Sequence, residues 1–343
     1  MISPLRLRLD AAALVDNWRW LARMSGTAAC GAAVKADGYG LGALAVVGRL
    51  AAAGCRDFFV ATWAEAEALR PLADSLSVAV LHGVRSDDMR LALTGTARPV
   101  LSTPEQVRRW RTAGGGACDV MVDTGMNRLG VAAADVAAGL LDGLALDTLM
   151  SHLACADEDV AMNAAQRTAF AALAGRTTAR RLSLANSAGI CLGPDYAFDL
   201  TRPGLALYGG VPRAEAAGHI RQVVTPEAQI LQRRRIGRGD RVGYNATFTA
   251  DRLMELAILN IGYADGYLRT FSGTGAARAG AARLPVVGRV SMDLTAICVD
   301  TAPDLAEGDW VAMDYDLPTA SAQSGLSQYE LLTGLGARFA RCW

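Results

Sequence analysis

Residues 32–40, Ala32-Ala33-Val34-Lys35-Ala36-Asp37-Gly38-Tyr39-Gly40, join a short apolar run to a glycine-containing turn through one lysine. The apolar run predicts a buried strand that ends at this lysine. Lys35 is the single lysine of the chain, because 33 of the 34 basic residues are arginine. Coding bias explains the general excess of arginine. A requirement for amine chemistry that arginine cannot perform explains why one lysine remains.

Burial at the end of a strand gives a lysine specific chemistry. It lowers the pKa of the amine and makes the amine nucleophilic, as a Schiff base with an aldehyde cofactor requires. An ordinary exposed lysine beside a turn fits the same position. From position alone, both interpretations of Lys35 stay open.

Up to about residue 210, short apolar runs alternate with Ala-, Leu- and Arg-rich stretches of helical period. This alternation is typical of βα units around a parallel sheet. Eight units predict an α/β fold, a (β/α)8 TIM-like barrel with its active site at the carboxyl ends of the strands. A doubly wound open sheet is the alternative. The candidate strands end near Lys35, Trp63, His82, Ser102, Asp123, Leu153, Asn186 and Arg202.

The pattern changes after about residue 222, where turn signals separate short alternating strands such as Met254–Leu259. We therefore expect a barrel over residues 1–222 and a second, mostly β C-terminal domain over residues 223–343. Met1 to Leu9 are candidates to pair with the β domain. We interpret Arg233–Arg238 as a solvated turn rather than a basic patch.

Composition excludes several classes of protein. The 343 residues are 52% hydrophobic and 20% charged, which is typical of a globular protein and not of a disordered one. Acidic and basic residues balance at 34 each, so we expect neither a nucleic-acid partner nor an anionic membrane partner.

Location follows from the apolar runs and the cysteines. The first ten residues lack the apolar core of a signal peptide, and no apolar run approaches the ~18 residues of a membrane span. The seven cysteines are scattered without paired spacing, so we expect reduced thiols and no metal site. These observations predict a cytoplasmic protein.

Four further places carry candidate chemistry at predicted strand ends. Ala185–Gly189 and Thr201–Gly204 offer a serine hydroxyl and exposed backbone N–H groups for a phosphate, although both patterns also occur in simple turns. Arg128 follows the fifth strand and can bind a carboxylate. His152 ends the sixth strand, where it can orient an acid or base or be a core histidine.

The chain resembles the pyridoxal-phosphate-dependent alanine racemases. The matching segments occur in family order across nearly the whole sequence. They are Ala33–Gly40, Asp123–Arg128, Asn186–Ala188, Arg202–Gly204 with Tyr208–Gly209, Gly262–Tyr267, Val287–Asp293 and Tyr329–Glu330.

The resemblance implies that the chain binds pyridoxal 5'-phosphate (PLP). Lys35 would be the Schiff-base lysine, and Arg202 would face the pyridine nitrogen. Because arginine stays protonated, it would leave the ring a weaker electron sink than an aspartate partner does. The phosphate would be held by Tyr39, Ser187, Gly204 and Tyr329.

The resemblance also implies a homodimer whose active site is shared between chains. Tyr244 of the partner subunit would be the second base, with His152 as a supporting residue. Two bases on opposite sides of the cofactor suit racemisation, which removes a proton from one face of Cα and returns one to the other. Arg128 and the backbone of Met292 of the partner subunit would bind the substrate carboxylate. The entry corridor would contain Tyr263, Arg269, Arg289 and Asp293.

One position departs from the family pattern. Many members carry a CO₂-modified lysine two residues before Asp123, and this position is Met121 here. Because methionine carries no charge, we predict that a chloride or similar ion lies beside Arg128. The Asn127 amide or a water network is the alternative.

The predicted reaction is the interconversion of L-alanine and D-alanine, either to supply D-alanine for peptidoglycan or to degrade alanine. A racemase of broader specificity, acting for example on serine, is an alternative. A fold-related PLP decarboxylase is disfavoured by Arg202 and Tyr244. A non-catalytic PLP carrier is disfavoured by the second domain and Tyr244.

Overall fold

The computed structural model describes residues 3–343, without the side chains of residues 73 and 74. Contacts divide the chain into two compact units. We call Ala12–Arg221 the barrel unit. The β unit combines the residues up to Ala11 with Gln222–Trp343.

The strands are listed here in chain order. They are Leu5–Leu9 (β1), Ala29–Cys30 (β2), Ala32–Ala33 (β3), Asp57–Val60 (β4), Ser77–Val80 (β5), Arg98–Leu101 (β6), Cys118–Asp123 (β7), Val131–Ala132 (β8), Leu146–Met150 (β9), Arg181–Ser183 (β10), Leu200–Thr201 (β11), Val224–Ile236 (β12), Arg241–Val242 (β13), Phe248–Thr249 (β14), Met254–Leu259 (β15), Ala276–Ala279 (β16), Ala282–Val287 (β17), Thr295–Cys298 (β18), Trp310–Met313 (β19) and Ala340–Cys342 (β20).

The helices follow in the same order. They are Ala11–Met24 (α1), Lys35–Tyr39 (α2), Ala43–Ala53 (α3), Trp63–Ala68 (α4), Met89–Thr94 (α5), Pro104–Thr112 (α6), Ala133–Ala137 (α7), Ala161–Ala171 (α8), Ser187–Cys191 (α9), Leu317–Ser324 (α10) and Gln328–Thr333 (α11). Within the described part of the chain, none of them is long and apolar enough to cross a membrane.

The barrel unit is a closed ring of parallel strands. Seven strands pair in the order β10-β9-β7-β6-β5-β4-β3, and β11 pairs with β2, which continues into β3. Between β10 and β11, Asp199 N donates to Leu182 O at 3.0 Å and Arg202 N donates to Ala185 O at 2.8 Å. The predicted barrel is therefore confirmed, and the open sheet is excluded. Each predicted strand end lies within three residues of the observed one.

The barrel strands are mostly apolar because both of their faces are covered. All four residues of β4 are buried, as expected for a parallel strand between core and helices. Helix α4 begins at a capping box, in which Thr62 and Glu65 bond each other's backbone N–H groups. These local signals place the strand ends and the loops that follow them.

The β unit is built on an eight-stranded sheet in the order β15-β18-β17-β16-β19-β12-β1-β20. All neighbours in this sheet are antiparallel except β1 and β20. The predicted mostly β fold of this part is confirmed. Strand β1 pairs with β12 from Leu5 opposite Ala228 to Leu9 opposite Val224, whereas Met1 and Ile2 lie outside the described residues.

The interpretation of Arg233–Arg238 as a turn is wrong for its first half. Arg233 and Arg235 lie within β12, and both form ion pairs with Glu255 on the neighbouring strand β15. The turn begins only at Gly237, whose N donates to Asp240 Oδ2 at 2.7 Å. Arginine is accommodated in this strand because the carboxylate of Glu255 lies across from it on β15.

Candidate active site

Lys35 directly follows the buried residue Val34 at the carboxyl end of β3, and it is half-buried. Burial and the positive charge of Arg128 lower its pKa, whereas Glu65 partly offsets them. The amine is therefore easier to deprotonate than an exposed lysine, which makes it a better nucleophile. The structure favours the reactive lysine over the ordinary exposed one.

The turn after Lys35 has an unusual backbone. Ala36, Asp37 and Tyr39 all have positive φ, at 54°, 53° and 56°. A left-handed conformation costs about 1–2 kcal/mol per non-glycine residue. Here Glu65 helps to hold it, because Ala36 N donates to Glu65 Oε1 at 2.8 Å. Strain of this kind is typical of functional sites.

A cluster of hydrogen-bond donors lies where β11 and α9 meet. Ser187 Oγ accepts hydrogen bonds from Gly204 N at 2.9 Å and Ala206 N at 3.2 Å. A Cβ on Gly204 would lie only 2.2 Å from Tyr39 Oη, so the Tyr39 hydroxyl packs against the same backbone. The Tyr39 ring stacks on Tyr208 with centroids 4.5 Å apart. Two hydroxyls thus lie beside the Gly204–Ala206 backbone, where they can donate to a phosphate.

Arg202 is a buried cation whose hydrogen-bond partners are neutral. Its guanidinium donates to Ser183 Oγ and, at 2.6 Å, to Ser151 O. Burial lowers its pKa to about 10, and the charge of Asp119 partly opposes this effect. The guanidinium therefore remains protonated at neutral pH and cannot give up a proton readily.

His152 lies in the loop after β9. Burial, together with the positive charges of Arg202, Arg128 and Lys35, lowers its pKa to about 3. The imidazole is therefore neutral at physiological pH and can donate one N–H without adding charge.

Gln166 on α8 connects the loops that carry His152 and Arg128. Its Nε2 donates to His152 O at 3.0 Å and to Thr124 Oγ1 at 3.3 Å. The Thr124 hydroxyl is in turn 2.8 Å from the Ser151 hydroxyl. This buried amide therefore fixes two neighbouring loops at the carboxyl end of the barrel.

Arg128 lies in a loop shaped by Asp123, whose Oδ1 accepts from Gly125 N at 2.8 Å and Asn127 N at 3.1 Å. The side chain is exposed in the single chain. Within residues 3–343, we find no hydrogen bond or ion pair to its guanidinium. The Asn127 amide donates to Gly125 O at 3.4 Å instead of compensating for Met121.

The β unit presents its candidate residues at its surface. Tyr244 and Met292 are 64% and 54% exposed. Tyr244 begins a tight turn in which Asn245 has a φ of 61°, and Tyr329 on α11 is 42% exposed. The Arg269 guanidinium lies 5.4 Å from the centre of the Tyr263 ring.

The remaining corridor candidates lie near the same turns. The backbone N of Arg289 is 3.4 Å from the point that a Cβ on Gly243 would occupy, next to Tyr244. Asp293 accepts a hydrogen bond from Arg338 at 2.7 Å. Seven of the predicted site residues, including Lys35, thus lie in the barrel unit, and the other seven, including Tyr244, lie in the β unit.

Sequence reasoning missed Glu65, Ser183 and Gln166. The Thr62–Glu65 spacing is readable as a helix cap, but nothing in it indicates that Glu65 also reaches Ala36. Ser183 and Gln166 carry no local signal, because their partners lie on other strands and loops.

Comparisons with known proteins agree along the whole chain. Residues 9–212 match the family model "Alanine racemase, N-terminal domain", and residues 223–343 match "Alanine racemase, C-terminal domain". An alanine racemase of Acidiphilium cryptum is 44% identical over 98% of this chain and 97% of its own length. A biosynthetic alanine racemase of Agrobacterium fabrum is 41% identical over 99% of this chain and 93% of its own length.

A solved structure gives the same result for the fold. The crystal structure of alanine racemase from Bartonella henselae, with covalently bound pyridoxal phosphate, superposes with a TM-score of 0.90 at 33% identity. The match covers 99% of each chain.

Proposed function

Because the chain belongs to the alanine racemase family, we propose that it is a PLP-dependent isomerase that interconverts L-alanine and D-alanine. The observation that carries this function is the single lysine with lowered pKa, next to the donors around Ser187. An amine for an aldehyde and a cluster of donors for a phosphate are the two groups that PLP requires. The residues present therefore fit the cofactor.

We assign the cofactor contacts to the barrel unit and to Tyr329. Lys35 would hold the cofactor covalently, and Tyr39, Ser187, Gly204 and Tyr329 would hold its phosphate. When bound, PLP supplies an electron-withdrawing ring that acidifies the α-proton of an amino acid. Arg202 would face the ring nitrogen as a permanent cation, supported by its neutral partners Ser183 and Ser151.

The proton transfers are assigned to two bases. Lys35 serves one face of Cα, and Tyr244 of the partner subunit serves the other. The 64% exposure of Tyr244 supports an action outside its own chain. His152, kept neutral by burial and by its cationic neighbours, orients the phenol by a hydrogen bond. We place this homodimer in the cytoplasm.

Substrate binding is assigned to Arg128 and to the backbone of Met292, which hold the carboxylate. Substrate enters past Tyr263, Arg269, Arg289 and Asp293. The substrate range is tested with a panel of small amino acids, including serine. We expect alanine to give the highest kcat/KM.

We further propose a chloride beside Arg128. Its guanidinium is exposed in one chain, but a site shared between two chains would cover it, and a covered cation without an acceptor costs several kcal/mol. Activity should be independent of bicarbonate, because the chain has no second lysine to carbamylate. It should fall when a bulky anion replaces chloride. Dependence on bicarbonate with indifference to chloride would contradict the proposal.

The reaction is tested by mixing the purified holoenzyme with L-alanine and following optical rotation. We expect the rotation to decay to that of the racemate, and Lys35→Ala to abolish this decay. Borohydride reduction should attach the cofactor to the one peptide that contains Lys35. An unchanged rotation, or a label elsewhere, would overturn the assignment.

The shared site is tested with a hybrid dimer. A Lys35→Ala chain and a Tyr244→Phe chain are each expected to be inactive alone. Mixed under conditions of subunit exchange, they should regain activity, because one of the two sites in each hybrid is then intact. Proven exchange without recovered activity would contradict the shared site.

A further inference from the structure

Arg338, in the segment after α11, bridges two loops of the β unit. Its Nε donates to Asp265 Oδ1 at 2.6 Å, and its Nη1 donates to Asp293 Oδ1 at 2.7 Å. Asp265 is completely buried, whereas Arg338 is about half exposed. Within residues 3–343, Arg338 is the only cation in an ion pair with Asp265. Neither Arg338 nor Asp265 takes part in the proposed proton transfers or substrate contacts.

The two loops that Arg338 bridges also contact each other through their backbones. Tyr263 N donates to Ser291 O, and Ala264 N donates to Met292 O, both at 3.0 Å. A Cβ on Gly262 would lie 2.3 Å from Met292 O, so the two backbone segments are in direct contact. The backbone of Met292 is thus tightly fixed, although its side chain is exposed.

The Asp265 carboxylate links Arg338 to the backbone of the Asp265 loop. While Oδ1 accepts from Arg338, Oδ2 accepts from Gly262 N at 3.0 Å. The C-terminal segment adds a further tie, because Gly336 N donates to Asp265 O at 3.1 Å. Removing the guanidinium would leave a buried carboxylate without its cation, and that carboxylate holds the Gly262 backbone against Met292.

We propose that Arg338 is a positioning residue that fixes the Met292 backbone for binding the substrate carboxylate. This inference rests on the proposed function, which assigns that contact to Met292. Arg338 acts from both sides of the contact: through Asp265 on the Gly262–Ala264 backbone, and through Asp293, the residue next to Met292. An arginine suits this role because its planar fork spans two carboxylates, whereas the single ammonium of a lysine does not.

Such a role predicts a specific kinetic change. Loss of a carboxylate contact weakens binding in the ground state and the transition state alike, which raises KM and leaves kcat nearly unchanged. We expect Arg338→Ala in the holoenzyme to raise KM for alanine by about tenfold. Propionate, which is alanine without its amino group, should inhibit this variant about tenfold more weakly.

Two variants frame this measurement. Arg338→Lys should resemble Arg338→Ala in KM, because one ammonium does not replace the bridge. Arg278→Ala is the matched control: Arg278 is also half exposed and also pairs with an aspartate of the β unit, Asp314, at 3.1 Å. We expect this control to leave KM and propionate inhibition unchanged. Unchanged KM in Arg338→Ala, or a fall in kcat alone, would overturn the proposal.

If Arg338→Ala does not fold, Asp293→Asn keeps the buried pair of Arg338 and Asp265 and weakens only the second contact. It should still raise KM and weaken propionate inhibition. Unchanged values would overturn the proposal in that case as well.

The hybrid dimer separates positioning from a general loss of stability. The intact site of the hybrid takes its β unit from the Lys35→Ala chain. Arg338→Ala should therefore raise KM when it is placed on that chain, and leave KM unchanged when it is placed on the Tyr244→Phe chain. Equal effects from both chains would overturn the positioning role. A hybrid without any activity would instead contradict the shared site, and the KM and propionate values of the uniform dimers then decide on Arg338.

Discussion

The two units hold their candidate residues in different ways. In the barrel unit, Arg202 and Ser187 are only 6% and 1% exposed, and their bonds to Ser183, Ser151 and Gly204 lie within the unit. In the β unit, Tyr244 is 64% exposed. The proposed cofactor contacts of the barrel unit are thus organised inside it, whereas the proposed second base is presented at the surface.

The physical reason lies in the architecture of each unit. Parallel strands of a barrel bring their carboxyl ends to one place, so side chains from distant segments meet and support each other. The antiparallel sheet of the β unit presents its candidates on tight turns, where backbone contacts fix the loop and leave the side chains outside. The Gly262 and Met292 backbones illustrate the second arrangement.

The largest effect that tests this comparison between the two units is expected in the proposed phosphate site formed by Tyr39, Ser187 and Gly204. Gly204→Ala places a Cβ 2.2 Å from Tyr39 Oη, which forces the cluster apart. We expect PLP binding to weaken about ten- to a hundredfold, measured by titration of PLP-free protein. Gly48→Ala, in the open middle of α3, is the control, because a Cβ there meets nothing within 4 Å. Equal PLP affinities of the two variants would show that the barrel unit is not preorganised.

A smaller effect concerns pH and His152. With a folded pKa of about 3, His152 takes up no proton above pH 5, whereas in the unfolded chain its ordinary pKa of 6.5 lets it do so. The unfolded state therefore binds more protons as the pH falls, and the folded state loses stability. Between pH 7.5 and 5.5 this loss amounts to about 1 kcal/mol.

The measurement is urea unfolding of PLP-free protein at both pH values. His152→Gln should lose about 1 kcal/mol less than the unchanged protein over this interval. An identical loss in His152→Gln would mean that the imidazole is not held neutral by the barrel unit.

The smallest effect is a shift in the pKa of Lys35. Because Lys35 is the only lysine, an amine reagent applied to PLP-free protein labels only this side chain and the N-terminus. Arg128→Ala should raise the pKa seen in the labelling rate, and Glu65→Gln should lower it further, since the two charges act in opposite directions. Arg278→Ala, in the β unit, should cause no shift. Shifts with the reverse signs would contradict the electrostatic account of the barrel unit.

The fold was predictable because its signals are local. Apolar runs and helical periods located the eight barrel strands, and the strand Met254–Leu259 has the observed bounds. Lys35 was identifiable by its uniqueness and its place at a strand end. The Arg233–Arg238 turn was mispredicted because the pairing of its arginines with Glu255 depends on a neighbouring strand.

The supporting residues were not predictable for the same reason. Gln166 bonds Thr124 at a separation of 42 residues, and Arg338 bonds Asp265 at a separation of 73. The exposure of the Arg128 guanidinium was equally unpredictable, because the sequence of its loop is compatible with a buried or an exposed side chain. Such contacts depend on which loops meet in space, and no local pattern records them.

The central claim is that two bases in different units serve opposite faces of Cα. Its most direct test follows the α-proton of each enantiomer of alanine in deuterated water by NMR, with the holoenzyme and its Tyr244→Phe variant. We predict that the variant still exchanges the α-proton of D-alanine, through Lys35, whereas exchange from L-alanine slows at least about a hundredfold. Equal slowing of both enantiomers, or no slowing of either, would contradict the claim.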